Sequence, residues 1–236
     1  MLRLDGVQVS IAGVQILRDV SCALPTGRTT LLVGRNGAGK TTLLRSVMGL
    51  LPLTHGRILL GETDLAALPG HHRARHGIGY APEDRRLIGN FSVEENLLLP
   101  LLAQNLAAPA RRAKLEEVYA LLPELEKFRA RPGGSLSGGQ GKMVALGRAL
   151  MLARKLLLLD EPFQGLAPAL ARDYARTLGR LREQRPDLTL LITESTPDLL
   201  KGVADLSLTI DRGAVATAEE QDVSSGSAVN GPPAAR

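Results

Sequence analysis

The sequence predicts an α/β domain with a parallel β-sheet at its core. Short apolar segments alternate along the chain with longer segments whose apolar residues recur at helical spacing, as in strands joined by helices. Residues 156–159 are four consecutive leucines, which favours a parallel strand covered on both faces. The chain has 236 residues, 44% of them hydrophobic, so it is long enough to bury a substantial core.

The N-terminal third predicts antiparallel strands and then a strand, a loop and a helix. Apolar residues alternate with polar ones over residues 2–11, with turn residues between and after them. A strand signal at 29–33 runs directly into the glycine-rich segment 34–42, and the apolar residues of 43–50 then follow at helical spacing. Residues 56–90 are rich in turn-forming residues.

The remaining elements continue the alternation. Residues 92–131 have a helical pattern that we expect Pro123 to break or kink. A helix at about 169–184 and an apolar strand at 188–193 follow. From Ala214 onward the chain is rich in Ala, Ser, Gly and Pro without periodicity, so we expect a disordered tail.

Composition excludes several classes of protein. Aromatic residues make up 3% and Trp is absent, which argues against a stacking platform for single-stranded nucleic acid. The net charge of +5 is too weak to indicate nucleic-acid binding. The single Cys22 excludes an internal disulfide framework and fits a reducing compartment. The sequence has no apolar run long enough for a membrane span and no signal-peptide core, so we expect recruitment to any membrane by a partner.

The segment Gly34-x-x-x-x-Gly39-Lys40-Thr41 predicts a phosphate-binding loop. Its glycines let backbone N–H groups turn toward a phosphate, Lys40 reaches phosphate oxygens and the Thr41 hydroxyl can hold Mg²⁺. The alternative is an ordinary glycine-rich turn, but the position between a strand and a helix favours the phosphate loop.

Two acids follow the leucine strand, in LLLLDEP at 156–162. A strand ending in a carboxylate would put Asp160 beside the Mg²⁺ of the phosphate loop, and Glu161 could then polarise an attacking water. Alone, these acids could equally belong to a surface turn or a helix cap. Together with the phosphate loop they predict a nucleotide-hydrolysing site.

The segment LSGGQ at 136–140 is a glycine-rich entrance to a helix. Such an entrance is an anion site, or simply a helix start capped by Ser137. About 20 residues before the acid pair, it resembles the signature loop of ABC-type ATPases, and the resemblance covers residues 1 to about 213. It implies a P-loop NTPase fold with N-terminal antiparallel strands, a core at about 1–85 and 151–213, a helical subdomain at about 86–150 and a tail at 214–236.

The resemblance also implies how the site works. Two copies, identical or different, would pair head to tail, with the signature loop of one contacting the γ-phosphate held by the other. Glu83, in YAPEDRR, stands where the family usually has a glutamine that touches Mg²⁺ and the attacking water. The implied metal ligands are Thr41, Glu83 and Asp160, and the ATP-binding residues are Gly34, Arg35, Asn36, Gly37, Ala38, Gly39, Lys40, Thr41, Thr42, Ile11, Ser137, Gly138, Gly139 and Gln140.

Two longer segments narrow the resemblance. YAPEDRRLIGNFSVEENLLLP and DEPFQGLAP are similar to the shorter ATPase subunit of branched-chain amino acid importers, and relatives that import urea or short amides have similar segments. This implies a peripheral subunit on the cytoplasmic face of the inner membrane. Its partners would be transmembrane permease subunits, a second ATPase subunit and, indirectly, a solute-binding protein.

The sequence departs from the family at two sites. The aromatic residue that stacks on adenine is replaced by Ile11, which predicts weaker base selectivity. All four histidines precede residue 77, so the switch histidine after the penultimate strand is absent and its position falls on Glu194 or Ser195. A carboxylate at Glu194 near the γ-phosphate would be unfavourable unless it were protonated or turned away. We therefore expect slow turnover.

Other function classes agree less well with the sequence. An ABC ATPase that acts on DNA or ribosomes is disfavoured by the low net charge and by the absence of a second cassette or a coiled-coil insertion. A regulatory subunit that binds ATP without hydrolysing it would fit the missing histidine, but Glu161 is present. A GTPase is disfavoured because the sequence lacks an Asn-Lys-x-Asp motif.

Overall fold

The computed structural model describes residues 1–200 and 202–220. Its strands are β1 (Leu2–Ile11), β2 (Val14–Leu24), β3 (Thr29–Val33), β4 (His55–Leu60), β5 (Thr63–Asp64), β6 (Ile78–Ala81), β7 (Leu156–Asp160), β8 (Thr189–Glu194), β9 (Leu206–Asp211) and β10 (Ala214–Glu220). Its helices are α1 (Lys40–Val47), α2 (Gly70–Arg73), α3 (Val93–Ala103), α4 (Ala108–Leu121), α5 (Pro123–Glu126), α6 (Gly138–Leu150) and α7 (Pro168–Gln184).

The strands form two sheets. The larger has the order β10-β9-β3-β8-β7-β6, and its strands are parallel except for β10, which runs antiparallel to β9. The smaller has the order β2-β1-β4-β5 and is antiparallel throughout. The predicted fold class, a parallel core with N-terminal antiparallel strands, is therefore confirmed.

The leucine strand β7 is buried along its whole length because both faces of the sheet are covered. Leu156 and Leu158 pack into the core shared with the antiparallel sheet and α1. Leu157 and Leu159, which point to the opposite face, pack into the core shared with α6 and α7. Alternate leucines thus stabilise two different layers, which explains why residues 156–159 include no polar side chain.

The helical layer begins and ends at residues that favour helix boundaries. Ser92 caps α3 and Ser137 caps α6, each by accepting a hydrogen bond from the backbone three residues later. The cap at Ser137, which the sequence offers as an alternative to an anion site, is therefore present. The predicted break at Pro123 is confirmed. There α4 ends at Leu121 and α5 begins at Pro123, because proline cannot donate the hydrogen bond that would continue α4.

The expectation of a disordered tail from Ala214 is wrong for its first part. Residues Ala214–Glu220 form β10, with Ala214 opposite Asp211 and Val215 opposite Ile210. A two-residue turn joins β9 to β10, and both Arg212 and Gly213 have the positive φ that such hairpins require. The edge of β9 supplies backbone partners that apolar periodicity does not reveal. Residues 221–236 of the expected tail lie outside the described residues.

Candidate functional site

The glycine-rich loop lies between β3 and α1, in the strand–loop–helix order that the sequence predicts. Helix α1 begins at Lys40, so the backbone N–H groups of the loop lie at its N-terminus, where the helix dipole favours an anion. Gly39, at the N-cap, has φ 111°, and a Cβ there would lie 3.0 Å from Leu17 Cδ2. Glycine is therefore required for this turn into the helix.

Lys40 is almost completely buried and points back into its own loop. Its Nζ donates to the main-chain oxygens of Gly34 and Arg35 and lies 3.2 Å from Ser195 Oγ. It also lies 3.0 Å from Glu161 Oε1, with both side chains less than a tenth exposed. A buried cation is therefore held within the loop at the N-terminus of α1, and an ammonium there can bind a phosphate oxygen.

Asp160, the last residue of β7, connects three other elements. Thr41 Oγ1 and Thr193 Oγ1 each donate to Asp160 Oδ1 at 3.0 Å, and the Tyr80 hydroxyl donates to Oδ2 at 3.1 Å. Burial raises the pKa of Asp160, although these three hydrogen bonds favour the carboxylate. A hydroxyl and a carboxylate side by side are the hard oxygen ligands that Mg²⁺ prefers, so the residues present fit that ion.

Glu161 adopts an unusual backbone conformation, with φ 43°. A positive φ in a residue other than glycine costs about 1–3 kcal/mol, so its surroundings must hold it. The main-chain N–H donates to Thr193 O and Thr193 Oγ1, each at 3.1 Å. The carboxylate contacts Lys40 Nζ and lies 3.2–3.3 Å from Ser195 Oγ.

The residues Glu194 and Ser195, which the sequence leaves as alternatives, point in different directions. Ser195 Oγ contacts Lys40 and Glu161 and donates to Asn36 Oδ1 at 2.9 Å, so Ser195 occupies the position beside the phosphate loop. Glu194 Oε1 instead accepts a hydrogen bond from the main-chain N–H of Phe163 at 3.0 Å. Burial raises the pKa of Glu194 to about 7. Its carboxylate is thus turned toward Phe163.

A cavity of about 470 Å³ is lined by residues of the phosphate loop, by Glu161 and by Glu83. Ile11 is 42% exposed at its rim, and Ile16, on β2, lines it as well. Sequence reasoning did not identify Ile16, because its position in the cavity depends on how β1 and β2 pair. The residues that line the cavity are Ile11, Ile16, Asn36, Gly37, Gly39, Lys40, Thr41, Thr42, Glu83, Glu161 and Gln164.

The signature loop, residues 136–140, does not line the cavity that contains the phosphate loop. Ser137 and Gly138 are exposed at the N-terminus of α6. Gly139 and Gln140 line a separate cavity between α6 and α7, together with Leu166 and Leu170. The structure therefore brings the phosphate loop, Asp160 and Glu161 together but leaves the signature loop facing outward.

Sequence reasoning also missed Tyr80 and Thr193, which hold Asp160 in place. Tyr80 lies next to Ala81 at the end of β6, and Thr193 lies opposite Asp160 in the register of β7 and β8. The only sequence signal for either is its position at the carboxyl end of a parallel strand, where sites of such sheets form.

The comparisons with known proteins agree with this arrangement. Residues 17–164 match the protein family described as ABC transporter. The lipopolysaccharide export system ATP-binding protein LptB of Escherichia coli is 35% identical over 202 residues, covering 85% of this chain and 83% of LptB. The high-affinity branched-chain amino acid transport ATP-binding protein BraG of Pseudomonas aeruginosa is 34% identical over 215 residues, covering 91% of each chain.

A solved structure is similar in fold over nearly the whole chain. The crystal structure of a nucleotide-free ATP-binding cassette from an ABC transporter superposes with a TM-score of 0.81 at 27% identity, covering 94% of this chain and 92% of the cassette. Within the part of the chain that the structure describes, none of the helices combines the length and the apolar character needed to cross a membrane.

Proposed function

The chain belongs to the ABC transporter ATPases, and we propose that it powers the uptake of branched-chain amino acids through a membrane permease. Cassettes of this family bind and hydrolyse ATP, dimerise and work with transmembrane permease subunits. The observation that supports hydrolysis here is the convergence of Lys40, Thr41 and Glu161 at one cavity beside a helix N-terminus, with Asp160 accepting a hydrogen bond from Thr41.

We assign separate roles to the phosphate loop, Lys40 and Glu161. The N–H groups of 34–42 and the ammonium of Lys40 bind the phosphates, and Ser195 Oγ lies beside both Lys40 and Glu161. Glu161 accepts a proton from the attacking water, which is general-base catalysis. When Lys40 binds a phosphate oxygen, this contact replaces the contact between Lys40 and Glu161. The Glu161 carboxylate is then free to contact the attacking water.

Thr41 and Asp160 would hold Mg²⁺, with Glu83, which lines the same cavity as Thr41, as a further oxygen ligand. The metal supplies charge neutralisation of the phosphate oxygens when bound. The hydrogen bond between Thr41 and Asp160 orients both oxygens before any ion arrives. Ile11 and Ile16 offer an apolar but non-aromatic surface to the adenine ring of ATP.

The outward position of Ser137 and Gly138 supports head-to-tail pairing with a second ATPase subunit. In such a pair the signature loop and the dipole of α6 would bind the γ-phosphate held by the other subunit. Pairing would place the two ATP molecules between the chains. The proposed location is the cytoplasmic face of the inner membrane, with a solute-binding protein on the other side delivering the amino acid.

The similarity to BraG supports an amino acid as the transported solute, because it extends over 91% of both chains. Lipopolysaccharide export is the second candidate, since LptB is 35% identical and covers 85% of this chain. The transported substance does not contact this subunit in either scheme. The permease with which the chain assembles therefore distinguishes the two functions.

The test is reconstitution of this chain in proteoliposomes with candidate permease subunits and a candidate solute-binding protein. We expect ATP-dependent uptake of labelled leucine, isoleucine or valine, and loss of uptake with Glu161→Gln. Stimulation of ATP hydrolysis by lipopolysaccharide, without amino acid uptake, would favour the export function instead. Hydrolysis by the purified chain should rise faster than linearly with its concentration, because pairing completes the site.

A further inference from the structure

Helix α6 carries a buried lysine that the proposed chemistry does not use. Lys142 is 8% exposed and lies one turn after the signature loop. Its Nζ donates to the main-chain oxygen of Glu161 at 2.6 Å. A buried cation is expensive unless it is paired and hydrogen-bonded, so this contact calls for a physical explanation.

The main-chain oxygen that Lys142 contacts belongs to Glu161, the residue with the positive φ. Glu161 precedes Pro162, and a residue before proline is restricted further in its backbone conformation. Thr193 holds the N–H of Glu161 from β8. On the other side, the oxygen accepts from Lys142 Nζ and from the N–H of Gln164 at 3.2 Å. The residue is thus fixed on both sides of its Cα.

Charged groups of both signs surround Lys142. Burial lowers the pKa of Lys142, while the carboxylates of Glu194, Glu83 and Glu161 act in the opposite direction and Arg85 adds to the lowering. The three carboxylates come from the end of β8, from the loop after β6 and from the residue that follows β7. An ammonium at this position therefore compensates negative charge contributed by three separate elements.

We propose that Lys142 is a positioning residue for ATP hydrolysis: by holding the main-chain oxygen of Glu161, it directs the Glu161 carboxylate toward the cavity. This rests on the proposed role of Glu161 as the base. Since α6 begins at the signature loop, one helix carries both the group that would meet the partner's nucleotide and the group that orients the base.

The experiment compares Lys142→Met with Arg73→Met in the full-length chain, assayed alone and with its permease. Arg73 is a matched control because it is also a buried cation that donates to main-chain oxygens, those of Ser46 and Val47 at 2.7 and 3.0 Å. We expect Lys142→Met to lower kcat about 10- to 100-fold with the KM for ATP unchanged, since a small misplacement of a reacting group has effects of this size. Arg73→Met should lose thermal stability with little change in kcat.

A second variant covers the case in which Lys142→Met does not fold. Lys142→Gln keeps a donor but is one bond shorter, so we expect a kcat about tenfold lower than that of the unmodified chain. An unchanged kcat in Lys142→Gln would then overturn the inference, as would a Lys142→Met variant no slower than Arg73→Met.

Glu161→Gln separates this inference from the function on which it depends. If that variant hydrolyses ATP at the full rate, the proposed role of Glu161 fails and the inference falls with it. If Glu161→Gln is inactive while Lys142→Met keeps its kcat, only the inference about Lys142 fails. When Lys142→Met is added to Glu161→Gln, kcat should not decrease further, because Lys142 acts through the carboxylate that Glu161→Gln has already removed.

Discussion

Replacing Glu194 with glutamine should stabilise the protein, and more so at higher pH. Glu194 is 5% exposed, and burial raises its pKa to about 7 from an ordinary value of 4.5. Because the folded-state pKa is raised, the protonated carboxyl contributes stability that is complete below about pH 4.5 and is lost as the pH rises through about 7. Above that pH the folded protein must keep an unfavourable buried charge.

The size of the effect follows from the same shift. Glutamine is neutral at every pH, and its side-chain oxygen can still accept the hydrogen bond from Phe163 N–H. The free energy of unfolding should exceed that of the unmodified chain by about 1 kcal/mol at pH 5 and about 3 kcal/mol at pH 8, taking 1.36 kcal/mol per pKa unit as the conversion.

The measurement is urea-induced unfolding of both chains at pH 5 and pH 8. Glu116→Gln is the control, because Glu116 is an exposed glutamate on α4 and the substitution changes the charge equally. We expect Glu116→Gln to alter stability by less than about 0.5 kcal/mol at either pH. A stability difference for Glu194→Gln that is the same at both pH values would refute the reasoning, since burial of an ionised carboxylate would then not be its source.

Three further predictions concern the site and the core. Glu161→Gln should slow phosphate release about 10²- to 10⁴-fold while equilibrium binding of labelled ATP persists, because only the proton acceptor is lost; undiminished release would contradict its role as base. The kcat/KM values for GTP and ATP should be similar, because Ile11 and Ile16 offer no aromatic ring to the base; a strong preference for ATP would count against this. Leu158→Ala should lower the free energy of unfolding by about 2–5 kcal/mol in urea titrations, since the side chain is fully buried; a loss below 1 kcal/mol would mean that the core refills the cavity.

Local patterns were sufficient for much of the site. A phosphate loop follows a strand and begins a helix, and the apolar spacing on either side of residues 34–42 predicts both of these elements. Asp160 is identifiable because it directly follows a run of four leucines. The sequence does not predict residues whose roles depend on strand pairing. Thr193 reaches Asp160 only because β8 lies beside β7 in one register.

The choice between Glu194 and Ser195 illustrates the same limit. The two residues are adjacent, so a one-residue difference in alignment exchanges them, and neither composition nor spacing distinguishes them. At the end of β8 consecutive side chains point to opposite sides. One direction leads to Lys40 and the other to the backbone of Phe163, and only the packed structure determines which residue takes each.

The sequence by itself determined the fold class, the phosphate loop, the acid pair after β7 and the capped entrance to α6, because each depends on local spacing and backbone conformation. Tertiary structure alone decided that Ser195 contacts Lys40, that Lys142 holds the peptide of Glu161 and that residues 214–220 complete the sheet as β10. The physical reason is common to all three. Hydrogen bonds between residues distant in sequence form only after sheet register and helix packing have brought their atoms within about 3 Å.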